Sequence, residues 1–177
     1  MARVQAWRGD ICELEVDAIV NPASVTLWMS SGVGAAIKKR GGDSIEIAAV
    51  RMSPIALGET VVTAGGRLPA RHVLHAATLD RGHHTNAVAV AAAATSAVVK
   101  AGELGVRSIA IPALGAGAGG LDPETSAAAT VTAVRDALPR SPSIRRVVFA
   151  LQNPDVFAAY LDAVEELEGT WETEGPE

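Results

Sequence analysis

Short apolar runs alternate along this chain with longer stretches in which apolar residues recur at helical spacing, separated by glycine, proline and short polar residues. Val4, Ala6 and Ile11 predict an opening strand that breaks at Gly9-Asp10, and Ala18-Ile-Val20 predicts a second, buried strand running into Asn21-Pro-Ala-Ser24. A loop over Ser30-Ser-Gly-Val-Gly34 then feeds a helix from Ala35 to Arg40, closed by Gly41-Gly42, and Asp43 with Ser44 caps a further helix reaching Arg51. Strands follow at Gly58 to Ala64 and Arg71 to Ala77. A long helix spans Thr85 to Leu104, with Gly105 as its stop. Val106 to Leu114 is apolar and strand-like, Glu124 to Leu138 helical, Arg145 to Leu151 a last strand, and Pro154 to Leu167 a closing amphipathic helix. Such alternation places helices on both faces of one sheet, in one domain over residues 1–167. Glu168 to Glu177 is acidic and aperiodic, the pattern of a solvated, flexible end.

The stretch Ser108-Ile-Ala-Ile-Pro-Ala-Leu-Gly-Ala-Gly-Ala-Gly-Gly120, followed by Leu121-Asp-Pro-Glu124, reads as strand, glycine loop and helix start. Glycines let the backbone turn and bring bare N–H groups close to a ligand, and a helix start adds partial positive charge, so the expected guest is an anion. The alternative is a tight turn that binds nothing. No Lys-Ser or Lys-Thr follows these glycines, which removes the nucleoside-triphosphate P-loop. Gly115-x-Gly117-x-x-Gly120 matches the dinucleotide fingerprint by letter. However, it lies late in the chain, and the acidic residue nearest the required distance, Asp136, falls inside a helical pattern.

Charge and composition narrow the reading. The 177 residues carry a formal net charge of −5, which argues against a general nucleic-acid binder. The single cysteine, Cys12, sits at an apolar strand start and reads as a small core side chain rather than a nucleophile. The N-terminal residues lack the apolar block of a signal peptide. The alanine-rich stretch from Asn86 to Val99 falls short of the ~20 residues that cross a bilayer, so a soluble cytoplasmic protein is expected. His72 and His75 lie three apart in a strand and face opposite sides; with His83 and His84 on a solvated segment, no metal site is expected. His75 reads as a hydrogen-bonded core histidine. Trp28, just before the glycines, either covers a crevice or packs.

Six pieces of this sequence, in order over about its first 160 residues, resemble the macrodomain, an ADP-ribose-binding module, and are most similar to stand-alone bacterial members: Gly9-Asp-Ile11, Val16 to Ser24, Gly32-Val-Gly-Ala-Ala-Ile37, Gly58 to Thr63, Leu68 to Ala76 and Ser108 to Gly117. The resemblance implies a three-layer α/β/α sandwich with a mixed central sheet. It also implies that Asp10 accepts the adenine amine with the Ile11 backbone nearby. The backbone of Gly32, Val33 and Gly34 would clasp a diphosphate from one side, and that of Gly115, Ala116, Gly117, Ala118 and Gly119 from the other. Asn21 and Ser24 would face the distal ribose, although Asn21 can equally satisfy loop backbone. Where relatives often stack an aromatic on adenine, this chain has Gln152 followed by Asn153, a loss of about 1 kcal/mol if stacking on nucleic-acid bases is the guide.

Hydrolytic members of the family pair two asparagines with an aspartate in the glycine loop and a histidine one turn on. The corresponding positions here are Asn21, Ser24, Gly34 and Lys38. With no base to orient a water, binding of ADP-ribose or of ADP-ribosylated molecules is the expected function, with no cofactor. Hydrolysis of ADP-ribosyl esters or of O-acetyl-ADP-ribose is the first alternative, and a nicotinamide-dinucleotide oxidoreductase the second.

Overall fold

The structure, a computed structural model, describes residues 2–168; the acidic tail expected over 168–177 lies, apart from Glu168, outside them. Six strands, β1 (Arg3–Arg8), β2 (Ala18–Ser24), β3 (Thr60–Ala64), β4 (His72–Leu79), β5 (Ser108–Ile111) and β6 (Arg146–Leu151), form one sheet in the order β1-β6-β5-β2-β4-β3. Every neighbouring pair is parallel except β3 with β4, which is antiparallel. The sheet is therefore mixed, and all strand ends that matter for a ligand lie along one rim.

Because side chains alternate across a strand, each strand feeds two cores. Val20, Leu74, Ile109, Ile111, Val147 and Phe149 pack against the face that carries α3 (Ala87–Glu103), α4 (Pro123–Ala137) and α5 (Pro154–Glu166). Their neighbours Ile19, Val73, Ala110, Val148 and Ala150 face the opposite side, with Ile37 of α1 (Gly32–Gly41), Ile45 of α2 (Ser44–Val50), Ile11 and Met29. Alanine supplies much of the first core: Ala93, Ala94, Ala97 and Ala101 of α3 are fully buried, which lets α3 and α4 approach closely. The result is the expected three-layer α/β/α sandwich.

Several boundaries differ from those the sequence predicts. Cys12 belongs to a 3-10 turn, Ile11–Glu13, capped by the Asp10 carboxylate; it is buried as expected, but not in a strand. Helix α1 begins at Gly32, so the glycines expected in a loop are its first turn. Asp43 makes no side-chain capping bond to α2. β5 stops at Ile111, before Pro112, which has no N–H to donate to a ladder.

A buried polar cluster ties the glycine loop to the helices behind it. Leu114, immediately before Gly115, donates its N–H to the Tyr160 hydroxyl at 3.2 Å and accepts from Ser126 Oγ at 2.7 Å. Ser126 Oγ and Thr130 Oγ1 lie 2.8 and 3.1 Å from the same phenol oxygen, and Tyr160 is fully buried with its ring 5.6 Å from that of Phe149. Beyond this anchor the loop folds on itself: Leu121 N–H bonds Gly115 carbonyl and Gly120 N–H bonds Gly117 carbonyl. Gly115 has φ +78° and a Cβ there would strike Val90 and Leu121, so this position requires glycine. Tyr160→Phe leaves buried partners unpaired and is expected to lower stability by about 1–3 kcal/mol, read as a drop in the urea midpoint at unchanged m-value.

Candidate functional site: a crevice at the strand ends

A cleft of about 480 Å³ opens at the carboxyl ends of β1, β5 and β6. Its walls are Gly9, Asp10 and Ile11 after β1, Pro112, Ala113, Ala116 and Gly117 after β5, Ala150 to Asn153 at the end of β6, Val156 of α5, and Gly32, Val33 and Ala36 of α1. The two glycine-bearing segments, far apart in the chain, thus meet across one groove. Of the residues the sequence singles out, Asp10, Ile11, Gly32, Val33, Ala116, Gly117 and Gln152 line it.

Gly115, Ala118 and Gly119 do not. A Cβ on Gly119 would meet Thr85 Cγ2 and the Gly115 carbonyl, so this glycine, like Gly115, shapes the loop from within. Gly117 is different: a Cβ there has open space around it.

The helix ends around the cleft are not equivalent. Asn86 caps α3 by accepting from Ala89 N–H, and Asp122 caps α4 by accepting from Thr125 N–H. The Thr125 hydroxyl also donates to Asp122 at 2.6 Å, and these bonds hold its carboxyl below the usual range. Asn153 caps α5 by accepting from Asp155 and Val156. In α1 the N-cap residue Ser31 makes no side-chain capping bond, and no acidic residue stands in the first turn. The helix start expected to serve the glycine loop, that of α4, is therefore already occupied by its own carboxylate. The free helix N-terminus facing Ala116 and Gly117 belongs to α1.

Among the described residues Asp10 is the sole charged one on the cleft wall, and no lysine or arginine lines it. Its Oδ1 accepts from Cys12 N–H at 2.9 Å, while Oδ2 faces Arg40 at 3.4 Å. Burial, reinforced by Asp10, pushes the Cys12 thiol up to about 12. An anion entering this cleft meets backbone N–H groups rather than cationic side chains.

A second cavity, of about 490 Å³, adjoins the first around the opening turn of α1: Gly32 and Val33 line one, Ser31 and Gly34 the other. Asn21 and Ser24, at the end of β2, lie on this second wall with Thr26, Trp28, Lys38, Glu46 and His83. Trp28 is 60% exposed, so it borders the cavity instead of packing in a core. Ser24 Oγ is 2.7 Å from Thr26 Oγ1. Glu46 accepts from Met29 N–H at 2.8 Å and pairs with Lys38 at 3.2 Å, so both charges are internally engaged. Asn21 Nδ2 lies 3.1 Å from His75 Nδ1.

Sequence reasoning assigned no role to Asn153, Pro112 or Glu46. Asn153 carried a readable signal, a helix-capping residue before Pro154-Asp155. Glu46 carried none, because its role depends on a contact with Met29, outside its own helix. The groove between α4 and α5, about 650 Å³, is lined by Glu124, Asp155, Asp162 and Glu166. Its acidic lining repels an anion.

A parallel-cored α/β/α sandwich, with an uncapped helix start facing a glycine-alanine turn at the strand ends, defines the class of this protein. Residues 20–130 match the Macro domain model, and the chain belongs to that family. An uncharacterised protein of Mycobacterium tuberculosis is 39% identical over 170 residues, covering 96% of this chain and 47% of the relative. The chain thus spans about half the length of that relative. An ADP-ribose glycohydrolase of Xenopus laevis is 33% identical over 153 residues, covering 84% of this chain and 37% of that protein. The solved structure of a Trypanosoma brucei macrodomain in complex with ADP-ribose has a TM-score of 0.83 at 25% identity, covering 91% of this chain and 68% of that one. No helix among the described residues is long and apolar enough to cross a membrane.

With its thiol held protonated and buried, Cys12 in the native chain is expected to resist a thiol-specific disulfide reagent at pH 8, whereas the urea-unfolded chain should release one equivalent at once. Rapid labelling of the native chain would count against the burial described.

Proposed function

We infer that the crevice binds ADP-ribose, free or attached to another molecule. One observation carries the reading: the uncapped start of α1 faces Ala116 and Gly117 across a cleft whose wall holds no cationic side chain. A diphosphate suits such a place, since unpaired N–H groups and the helix dipole favour negative charge without a lysine or arginine. Asp10 at one end suits the exocyclic amine of adenine, with Ile11 and Gln152 beside the base. Asn21, Ser24 and Gly34, on the second cavity, suit the distal ribose. The macrodomain of Trypanosoma brucei, named as a complex with ADP-ribose, supports the same assignment.

The Xenopus relative, named a glycohydrolase, brings in a second reading, hydrolysis in the same crevice. The second cavity does not favour it. Its one carboxylate, Glu46, is held by Met29 N–H and Lys38, and so is not free to take a proton from water. Binding is the reading favoured; His83, on the same wall, is the other side chain there able to take a proton.

Calorimetry with ADP-ribose, NAD, AMP and adenosine tests it. ADP-ribose is expected to bind most tightly; NAD binding at least as tight would favour the oxidoreductase alternative. Asp10→Ala is expected to lower the preference for adenine over other bases by about ten- to a hundredfold, the worth of one hydrogen bond to a charged group. Gly117→Leu, which has room to fold, is expected to fill the cleft and abolish binding of diphosphates while leaving the melting temperature nearly unchanged. Steady release of ADP-ribose from an ADP-ribosyl ester by the native chain would overturn the binding-only reading.

A further inference from the structure

Asn21, His75 and Thr63 stand on three adjacent strands, β2, β4 and β3, and on the same face of the sheet. Asn21 pairs with His75 in register, and Thr63 lies opposite Val73. All three are buried, His75 completely. Nδ2 of Asn21 is 3.1 Å from His75 Nδ1, and His75 Nε2 is 2.9 Å from Thr63 Oγ1. The order of donors follows from one further bond. Thr63 Oγ1 also lies 3.1 Å from the Ala64 carbonyl; with its one hydroxyl proton directed there, it accepts from His75. In that arrangement His75 carries its proton on Nε2, and a neutral imidazole has no second one to give. Burial keeps the ring neutral by pushing its pKa down to about 4. Bare Nδ1 must then accept from the Asn21 NH2 group, since the flipped amide would set oxygen against nitrogen lone pair.

This chain of donors decides where the other end of the Asn21 amide goes. Oδ1 is buried and has no hydrogen-bond partner among the described residues. It lies beside Gly34, where a Cβ would come within 3.2 Å of it, in the first turn of α1 and on the wall of the second cavity. A buried acceptor without a donor carries a desolvation cost, and a sugar hydroxyl is a donor of suitable size.

We propose that His75, oriented from behind by Thr63, is a positioning residue that locks the Asn21 carboxamide with its oxygen toward Gly34, as acceptor for a hydroxyl of the ligand's distal sugar. The proposal rests on the reading of the crevice as an ADP-ribose site. His75 touches no ligand in this arrangement; it acts through Asn21. The effect is selective, because a nucleoside diphosphate that ends at the second phosphate never reaches Asn21.

Two measurements test it. Calorimetry compares ADP-ribose with ADP on the native chain, His75→Phe, Thr63→Val and Thr63→Ser. His75→Phe is expected to lose about tenfold in ADP-ribose affinity, the scale of one hydrogen bond, with ADP affinity unchanged. Thr63→Val, nearly isosteric and so the safeguard should the larger change fail to fold, is expected to lose several-fold in the same selective way, and Thr63→Ser to restore native binding. Equal losses for both nucleotides, or no loss for either, overturn the proposal. Nitrogen-15 spectra of the His75 imidazole in the ligand-free native chain are expected to show the proton on Nε2 and a bare Nδ1 at neutral pH; the opposite tautomer overturns the relay whatever the ligand. A native chain that binds neither nucleotide overturns the functional reading and the sugar contact with it. The spectrum still reports separately on whether Thr63 and His75 fix the amide.

Discussion

The N-terminus of α1 is left without a side-chain cap, and the crevice is organised around that deficit. Helices α3, α4 and α5 each spend an Asn or Asp side chain on their first amides. Ser31 occupies the equivalent position in α1, in the extended conformation of a cap, and makes no such bond. A missing cap of this kind costs about 1 kcal/mol of helix stability. What it leaves is a helix start without a side-chain partner, with Gly32 and Val33 on the wall of the groove at the strand ends. Gly32 and Gly34 keep that turn free of side chains, and Gly32 itself has φ +58°, a conformation glycine adopts without strain.

The facing wall is rigid for a different reason. A run of glycine and alanine would by itself be a floppy connection, yet Leu114 at its base is pinned by Tyr160 and Ser126, and the turn closes through Leu121 N–H on the Gly115 carbonyl. Only Ala116 and Gly117 then project onto the cleft. The glycines divide accordingly into those that permit the turn, Gly115 and Gly119, and Gly117, which leaves space beside a ligand. Glycine content alone does not separate these roles.

The second cavity holds its charged groups in an internal pair. Lys38 and Glu46 neutralise each other there, and Ser24 is engaged with Thr26. Asn21 faces the same cavity, and the groups that orient it stand on two neighbouring strands and not in its own loop. A charged pair that is internally satisfied contributes shape and a fixed Met29 backbone rather than proton transfer.

Much of this was legible in the chain's own letters. Alternating apolar runs and helical periodicity settle the layered α/β fold, because each element must bury one face and the period of the pattern names the element. The ordered glycine and asparagine pieces settle the family and most of the cleft wall, Asp10, Gly32, Val33, Ala116, Gly117 and Gln152 among them. Which helix starts are left uncapped was not legible, since Ser31, Asp43, Asn86, Asp122 and Asn153 are all good capping residues and only their side-chain placement separates them. Nor was the direction of the Asn21 amide, which depends on a proton count running through His75 to Thr63, residues brought side by side by strand pairing and distant along the chain. Local pattern fixes what each segment becomes; the partner of a buried hydrogen-bonding group is chosen by whatever the fold sets beside it.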